Sequence, residues 1–509
     1  MIRHVLALVL AMLASAAAAA GRGPDIAEGM QWLHSFEYER ALAAFQRAER
    51  NDRRDAMAYW GQAMCYQQLL WGNENVGEAR AILARMTRNG ALTDAAGRER
   101  AWIDTLGRLF GDGDRPSRLD AYAAAVGRLA ETYPDDPDAA AFHGLAIMAT
   151  RARGLAGHHA TDQEVPQLVG SEEQKKAAQI FVRILEKHPR HPGALHYLIH
   201  VWDDPKNAHK ALDAARAYGA VVPESSHARH MPAHVFLQLG MWDEAIAADA
   251  GAAAAADAKV KADGLPVTAT DFHPLSWLVY EYTQAGRIED AKAALGRLED
   301  AARSTRDPRL LSLAASLRSR VAIEAEDWQA AAGPGFANYD ELFAVGFSAA
   351  RRGDLSLAER ARSRLGELAR EPRYAARRAL LEIMAIQVGA AIRSSQGDRE
   401  GALTLLAEAA KQEAALPDAI GPPPLIKPAG EQYAEQLLES GRHGEARRQF
   451  EAVLSRTRNR RLSVEGLARA RAGSVESPAG LWRSWTALGL CGTLVLVALV
   501  AWRRRTRTA

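Results

Sequence analysis

His196-Tyr-Leu-Ile-His200 and His230-Met-Pro-Ala-His234 are the same His-x-x-x-His pattern written twice, with corresponding histidines 34 residues apart. On a helix, residues four apart share one face, so each pair presents two imidazoles side by side. Imidazole is a ligand for zinc, copper, nickel and iron, and a pair at i and i+4 can clasp one ion. Packed helices lie about 8–10 Å apart, which brings a second pair within reach of an ion held by the first. His196, His200, His230 and His234 are therefore candidate ligands for one divalent transition metal such as zinc or copper. The metalloprotease signature is absent, because Tyr197 and Met231 stand where that motif has glutamate. No Gly-x-Ser-x-Gly elbow, phosphate-binding glycine loop or Ser-x-x-Lys constellation accompanies the histidines.

The elements that would position these side chains are helical hairpins. A period of 34 is that of the tetratricopeptide helix-turn-helix repeat. Ala177, Ala211 and Ala245 keep this spacing, as do Pro189 and Pro223. Elsewhere a turn glycine precedes a close-approach alanine by five residues: Gly240/Ala245, Gly286/Ala291, Gly353/Ala358, Gly397/Ala402 and Gly441/Ala446. The glycine permits the left-handed backbone that ends a helix, and the alanine lets the next helix come close. Gly29, Trp32, Ala41, Phe45 and Ala48 fit a first repeat. Alanine is abundant and no alternating stretch reads as a strand, so the fold class expected is all-α, a tetratricopeptide-like helical-hairpin solenoid.

Register then gathers further residues. With Ala211 and Ala245 taken as equivalent, His196 and His200 occupy repeat positions 5 and 9 of one hairpin, and His230 and His234 the same positions of the next. His227 and His273 fall at position 2, and Asp203 and Asp204 at positions 12 and 13. All belong to the set expected to face the concave groove, which adds His227, His273, Asp203 and Asp204 as candidate groove residues. Trp60, Gln67 and Gln68 of the second hairpin suit the same groove. With an open coordination position, Asp203, Asp204 or Asp271 would be candidate bases toward a metal-bound water. The cluster draws on a chain with only 15 histidines.

The strings His188-Pro-Arg-His-Pro-Gly-Ala-Leu-His-Tyr-Leu-Ile-His200, Ser226-His-Ala-Arg-His-Met-Pro-Ala-His234 and Asp271-Phe-His-Pro-Leu-Ser-Trp-Leu278 resemble a widespread group of bacterial tetratricopeptide repeat proteins. The resemblance runs from Gly29 to about Ala470. It implies a solenoid of stacked hairpins and no particular activity.

The ends of the chain point to export and a membrane anchor. Arg3 and His4 precede an apolar run and an alanine-rich stretch, the pattern of a signal peptide over residues 1–20. Residues 485–502 are 18 residues without a charge, with Trp485 and Trp502 at their ends and an arginine-rich tail, 503–509, after them. The positive-inside rule puts that tail in the cytoplasm and the repeats on the extracytoplasmic, periplasmic side. Between these ends we expect repeats over 24–150, a histidine-rich set over 151–300, further repeats over 301–472 and a linker over 473–484. A long insertion from Gly154 to Gly170 contains His158 and His159, and Gly421-Pro422-Pro423-Pro424 breaks the last hairpins.

Lys+Arg (64) and Asp+Glu (62) balance, which disfavours a nucleic-acid partner. Cys65 and Cys491 form no CxxC pair, so thiolate metal sites and disulfide chemistry are disfavoured. Three readings of the histidines follow: a groove for a peptide or partner protein, a metal site that binds or catalyses hydrolysis or oxidation, and a groove that responds to pH near the imidazole pKa.

Overall fold

The computed structural model describes residues 23–151, 170–329 and 338–475. The expected signal peptide, most of the 154–170 insertion with His158 and His159, the expected span at 485–502 and the basic tail lie outside the described residues. No helix among the described residues is long and apolar enough to cross a membrane.

The described chain is all-α, and its only bridge is an isolated one between Gln67 and Glu74. Nearly every helix packs on the next. Many begin on a short polar side chain that accepts from an otherwise orphan N–H, as Asp55, Asn75, Asp114, Ser171, Ser225, Asp354 and Asp398 do. The turn glycines adopt the left-handed region, with φ of 67° at Gly240, 74° at Gly286, 83° at Gly353, 84° at Gly397 and 71° at Gly441. Ala41, Ala177, Ala211, Ala245, Ala291, Ala358, Ala402 and Ala446 are each 0% exposed, as close-approach positions must be. The hairpin register expected from their spacing is the register of the fold.

The two helices of a hairpin differ in how they are buried. The second helices bury a stripe: Ala41, Ala44, Phe45 and Ala48 of Tyr38–Asn51, or Ala446, Phe450 and Val453 of His443–Arg456. Several first helices are buried nearly all round: every residue of Ala56–Met64, and most of Pro192–Val201 and Ser226–Leu239. The expected concave groove is therefore largely filled by the chain itself. From one side the Pro24–His34 helix packs onto the Pro192–Val201 helix. From the other, the turn at residues 457–461 reaches back: Asn459 Nδ2 donates to Gly240 O (3.1 Å), and Trp242 Nε1 donates to Asn459 O (3.0 Å).

Arg460 pins this return. Its Nε and Nη2 donate to Glu431 at 2.8 and 2.9 Å, its Nη1 to Glu324 Oε1 at 2.6 Å, and all three side chains are 0% exposed. Burial opposes the guanidinium charge, but Glu324 and Glu431 more than offset that and hold it protonated. Removing one member of a buried ion network strands the others. Arg460→Met is expected to lower stability by about 3–5 kcal/mol, read from the urea midpoint. Arg442→Met, at the surface pair with Glu445, should shift stability by at most about 1 kcal/mol.

Candidate functional site

His191 caps the Pro192–Val201 helix, its Nδ1 accepting from Ala194 N (3.2 Å), and Pro192 occupies the first turn. One turn further on, His196 and His200 bring their Nε2 atoms to 3.1 Å. Ser225 caps the next first helix, Ser226–Leu239, which runs on through Pro232. There His230 and His234 repeat the arrangement, Nε2 to Nε2, at 3.1 Å.

The four do not form one set. His227 Nε2 lies 3.0 Å from His196 Nε2, and the His273 ring lies 4.7 Å from that of His230. The structure thus groups six histidines as two triads, His196/His200/His227 and His230/His234/His273, whose potential ligand atoms lie within 4.8 Å of one another. Each triad is a His-x-x-x-His pair from one repeat closed by position 2 of the next. The plan stops there, since the third hairpin has Ser276 and Tyr280 where the pair would recur. His200 and His234 stand ring to ring at 6.2 Å, so the triads are neighbours.

Second partners orient the rings. His196 Nδ1 donates to the carbonyl of His34 (2.7 Å), while His230 Nδ1 meets Asp249 Oδ1 and His234 Nδ1 meets Asp203 Oδ2, each at 2.6 Å. A peptide carbonyl only accepts, so the His196 proton sits on Nδ1 and its Nε2 lone pair faces the triad. Burial holds the His196 imidazole down to about 3, which leaves it neutral; the innermost ring is no sensor near pH 6. Burial, then Glu281, pushes the Asp249 carboxyl well up, and burial pushes Glu281 up as well. His196, His230 and His234 are buried, while His200, His227 and His273 are half-buried along one rim.

Tetrahedral zinc with bonds of 2.0–2.1 Å spaces its nitrogens about 3.3 Å apart. The 3.0–3.1 Å spacings here are close to that value.

A third group, His34, Asp138 and His191, is of another kind. His34 Nε2 lies 2.8 Å and His191 Nε2 3.2 Å from Asp138 Oδ1, and His34 Nδ1 lies 2.9 Å from Tyr197 OH. This network holds the His34 carbonyl against His196. Register explains its place: position 2 of this first hairpin is Gly193, and a Cβ there would lie 2.3 Å from His34 Nδ1. The His34 ring fills the space that His227 and His273 fill in the following repeats.

The other sequence candidates fall elsewhere. Asp203 backs His234, and Asp204 ties a turn, accepting from Lys206 N and Asn207 N at 3.0 Å each. Asp271 accepts from His273 N. All three thus have hydrogen-bond partners within the fold. Trp60 is 0% exposed, packed edge-on against Trp102 and Phe142, and Gln67 is 2% exposed, so neither lines an open groove. A filled groove leaves these positions inside.

Sequence reasoning missed His34, Phe36, Asp249 and Trp277. Trp277 packs on all three rings of the second triad, at 4.7, 4.4 and 5.4 Å. The Phe36 ring lies 4.4, 5.9 and 5.8 Å from those of His196, His200 and His227. One signal was available for Phe36: it stands five residues before Ala41, where the later repeats have their turn glycine.

No known family model and no curated protein matches this chain. Solved structures with repeat architecture do. Yeast Tom70 is similar over 88% of this chain and 88% of its own at 11% identity and a TM-score of 0.31. The P58(IPK) TPR domain covers 88% and 97% at 16% identity and a TM-score of 0.24. A signal-transduction ATPase with a tetratricopeptide repeat sensor, from Pyrococcus horikoshii, covers 86% and 72% at 13% identity and 0.30.

Gly193→Ala drives a methyl into the His34 ring and should lower stability by about 1–3 kcal/mol in urea denaturation. Gly296→Ala, on an open helix face, is expected to leave stability unchanged or raise it by up to about 1 kcal/mol.

Proposed function

We propose that this chain is an exported helical-repeat scaffold, tethered by its C-terminal segment, that holds two transition-metal ions side by side in its histidine triads. The observation that carries the reading is the orientation of the rings. His196 Nε2 lies 3.1 and 3.0 Å from the Nε2 atoms of His200 and His227, and His230 and His234 meet Nε2 to Nε2 at 3.1 Å with a ligand nitrogen of His273 within 4.8 Å, while the Nδ1 atoms of His196, His230 and His234 are tied outward. Three imidazoles converging at such distances, among them the His196 Nε2 lone pair, can hold one cation between them. Imidazole nitrogens suit zinc, copper, iron and nickel. The half-buried rim at His200, His227 and His273 supplies a route in, and it is where a peptide or protein partner of the scaffold would meet the ions.

A second reading, a metal-dependent hydrolase or oxidase, is favoured by the ligand count. Three protein ligands leave a position for water or substrate, the arrangement of catalytic sites; structural sites close with four. The export and anchor reading rests on the residue patterns at 1–20 and 485–509.

Elemental analysis of the purified full-length chain, stripped and reloaded, is expected to find about two ions per chain. His196→Ala and His234→Ala should each remove one. If no transition metal is retained by the folded protein, the reading fails. For topology, a reporter that works only in the cytoplasm should be active when fused after Thr508, and a silent fusion at normal expression would reverse the proposed orientation.

A further inference from the structure

The proline-rich segment from Leu416 to Pro428 joins the Arg399–Ala414 and Ala429–Glu439 helices. Between this segment, the end of Ser226–Leu239 and the His443–Arg456 helix lies a cavity of about 120 Å³. Its inner wall is apolar: Leu237, Tyr280, Leu425 and Val453 line it and are buried. Ala414, Pro417 and Ala452 line it too and are exposed, which puts them at its mouth.

Unfilled apolar volume costs stability, so a hollow of this kind tends to collapse. Here the walls are fixed. Pro417, Pro423, Pro424 and Pro428 restrict the backbone of the segment. Arg456 ties its start to the last helical turn before it: Nε donates to Asp418 Oδ1 (2.9 Å), Nη1 to Glu413 O (2.9 Å), and Nη2 to Leu416 O (2.9 Å) and Pro417 O (3.2 Å). Gln238 Nε2 holds the middle through Ala419 O (2.7 Å), and Arg320 Nη2 holds Pro423 O (2.6 Å). A site already in shape gives up less freedom when its ligand arrives.

Volume sets the size of that ligand. An apolar cavity of about 150 Å³ takes up benzene, so this one suits a single six-membered ring. Trp242 and Tyr280, edge to face at 5.9 Å, give the wall aromatic surface. Charge sets the kind. Arg456 is the only cationic residue lining the cavity, and each of its nitrogens is spent on the fold. Asp418 is matched by Arg456 and lies 3.8 Å from Lys206 Nζ. Burial pushes the Glu413 carboxyl up, toward its neutral form. An ionic ligand therefore meets no uncompensated opposite charge. One corner is polar. Gly430 N donates to Glu413 Oε2 (2.9 Å), and a Cβ on Gly430 would lie 3.0 Å from Gln449 Nε2 and 3.6 Å from Glu413 Oε2. The glycine leaves room for both groups. The Gln449 amide has no hydrogen-bond partner among the described residues, so its donor and acceptor are available.

We propose that this cavity binds a small neutral aromatic molecule with one hydroxyl, of the size of phenol. The ring packs on Leu237, Tyr280, Leu425 and Val453, and the hydroxyl meets Gln449 and Glu413. The site does not rest on the metal reading above, and the chain as purified serves to test it.

The full-length protein is titrated calorimetrically with phenol, with toluene as the ring without a hydroxyl, and with benzoate and benzylammonium as charged analogues. One equivalent of phenol should bind with a Kd of about 1 mM or tighter, about tenfold tighter than toluene or either charged analogue. Gln449→Leu should erase the preference for phenol over toluene. Ala452→Phe, at the mouth, and Ala410→Phe, on the half-buried wall, should each weaken phenol at least tenfold without moving the urea midpoint. Ala293→Phe, on the exposed face of Ile288–Thr305, should leave phenol binding unchanged. Absence of phenol binding at about 10 mM would overturn the proposal. So would phenol binding that survives undiminished in both filled variants, or a preference for benzoate or benzylammonium over phenol. Equal affinity for phenol and toluene in the unaltered chain would remove the polar corner from the site and overturn the ligand class.

Discussion

An imidazole pair can stack on a copy of itself only if each repeat advances the chain by the same step. In this protein the step is set where two helices touch backbone to backbone through an alanine. Ala177, Ala211 and Ala245 are fully buried and 34 residues apart, and nothing larger fits the contact. That spacing carries His196 onto the repeat position of His230, and His200 onto that of His234. It also brings position 2 of each following hairpin, His227 or His273, beside the pair before it. The triads are a consequence of helix packing before they are anything chemical.

Packing alone would leave the histidines on an open inner surface. Two long-range returns enclose them. The first helix comes back to the Pro192–Val201 helix, and its last residue does two jobs: the His34 ring occupies the space above Gly193, and the His34 carbonyl orients His196. At the other end, Arg460 joins Glu324 and Glu431 across 136 and 29 residues of chain. Gln238 then links Asp203 to the carbonyl of Ala419, and Gly421 lets the proline-rich segment lie on the Trp277 ring. The break at Gly421–Pro424, which looked like a simple interruption between hairpins, is a cover for the second triad.

Much of the architecture was legible in the residues. The glycine–alanine markers located the turns and contacts, because a left-handed backbone and a zero-clearance contact each admit few residue types. The histidine positions followed from the same register. Two things misled. The inner helices were read as one wall of an open groove, which placed Trp60, Gln67 and Asp204 at a surface; they lie inside. The four histidines of the repeated motif were read as one ligand set, but a pair closes more readily with the nearest ring of the next helix than with the whole next pair. The partners behind the rings were out of reach of local pattern. Asp249 lies 19 residues from His230, and His34 lies 162 residues from His196. Neither separation has a period.

The sequence by itself determined what local rules govern: helices, their turns, the step between repeats and hence which histidines share a position. Those depend on backbone conformation and near-neighbour sterics, which each short segment carries within it. Tertiary structure alone decided that the groove is largely filled, that six histidines divide into two triads, and that His230 and His234 lean on buried carboxyls while His196 leans on a carbonyl. Those features depend on which distant segments come to rest together, and that is settled by the burial and charge balance of the whole chain.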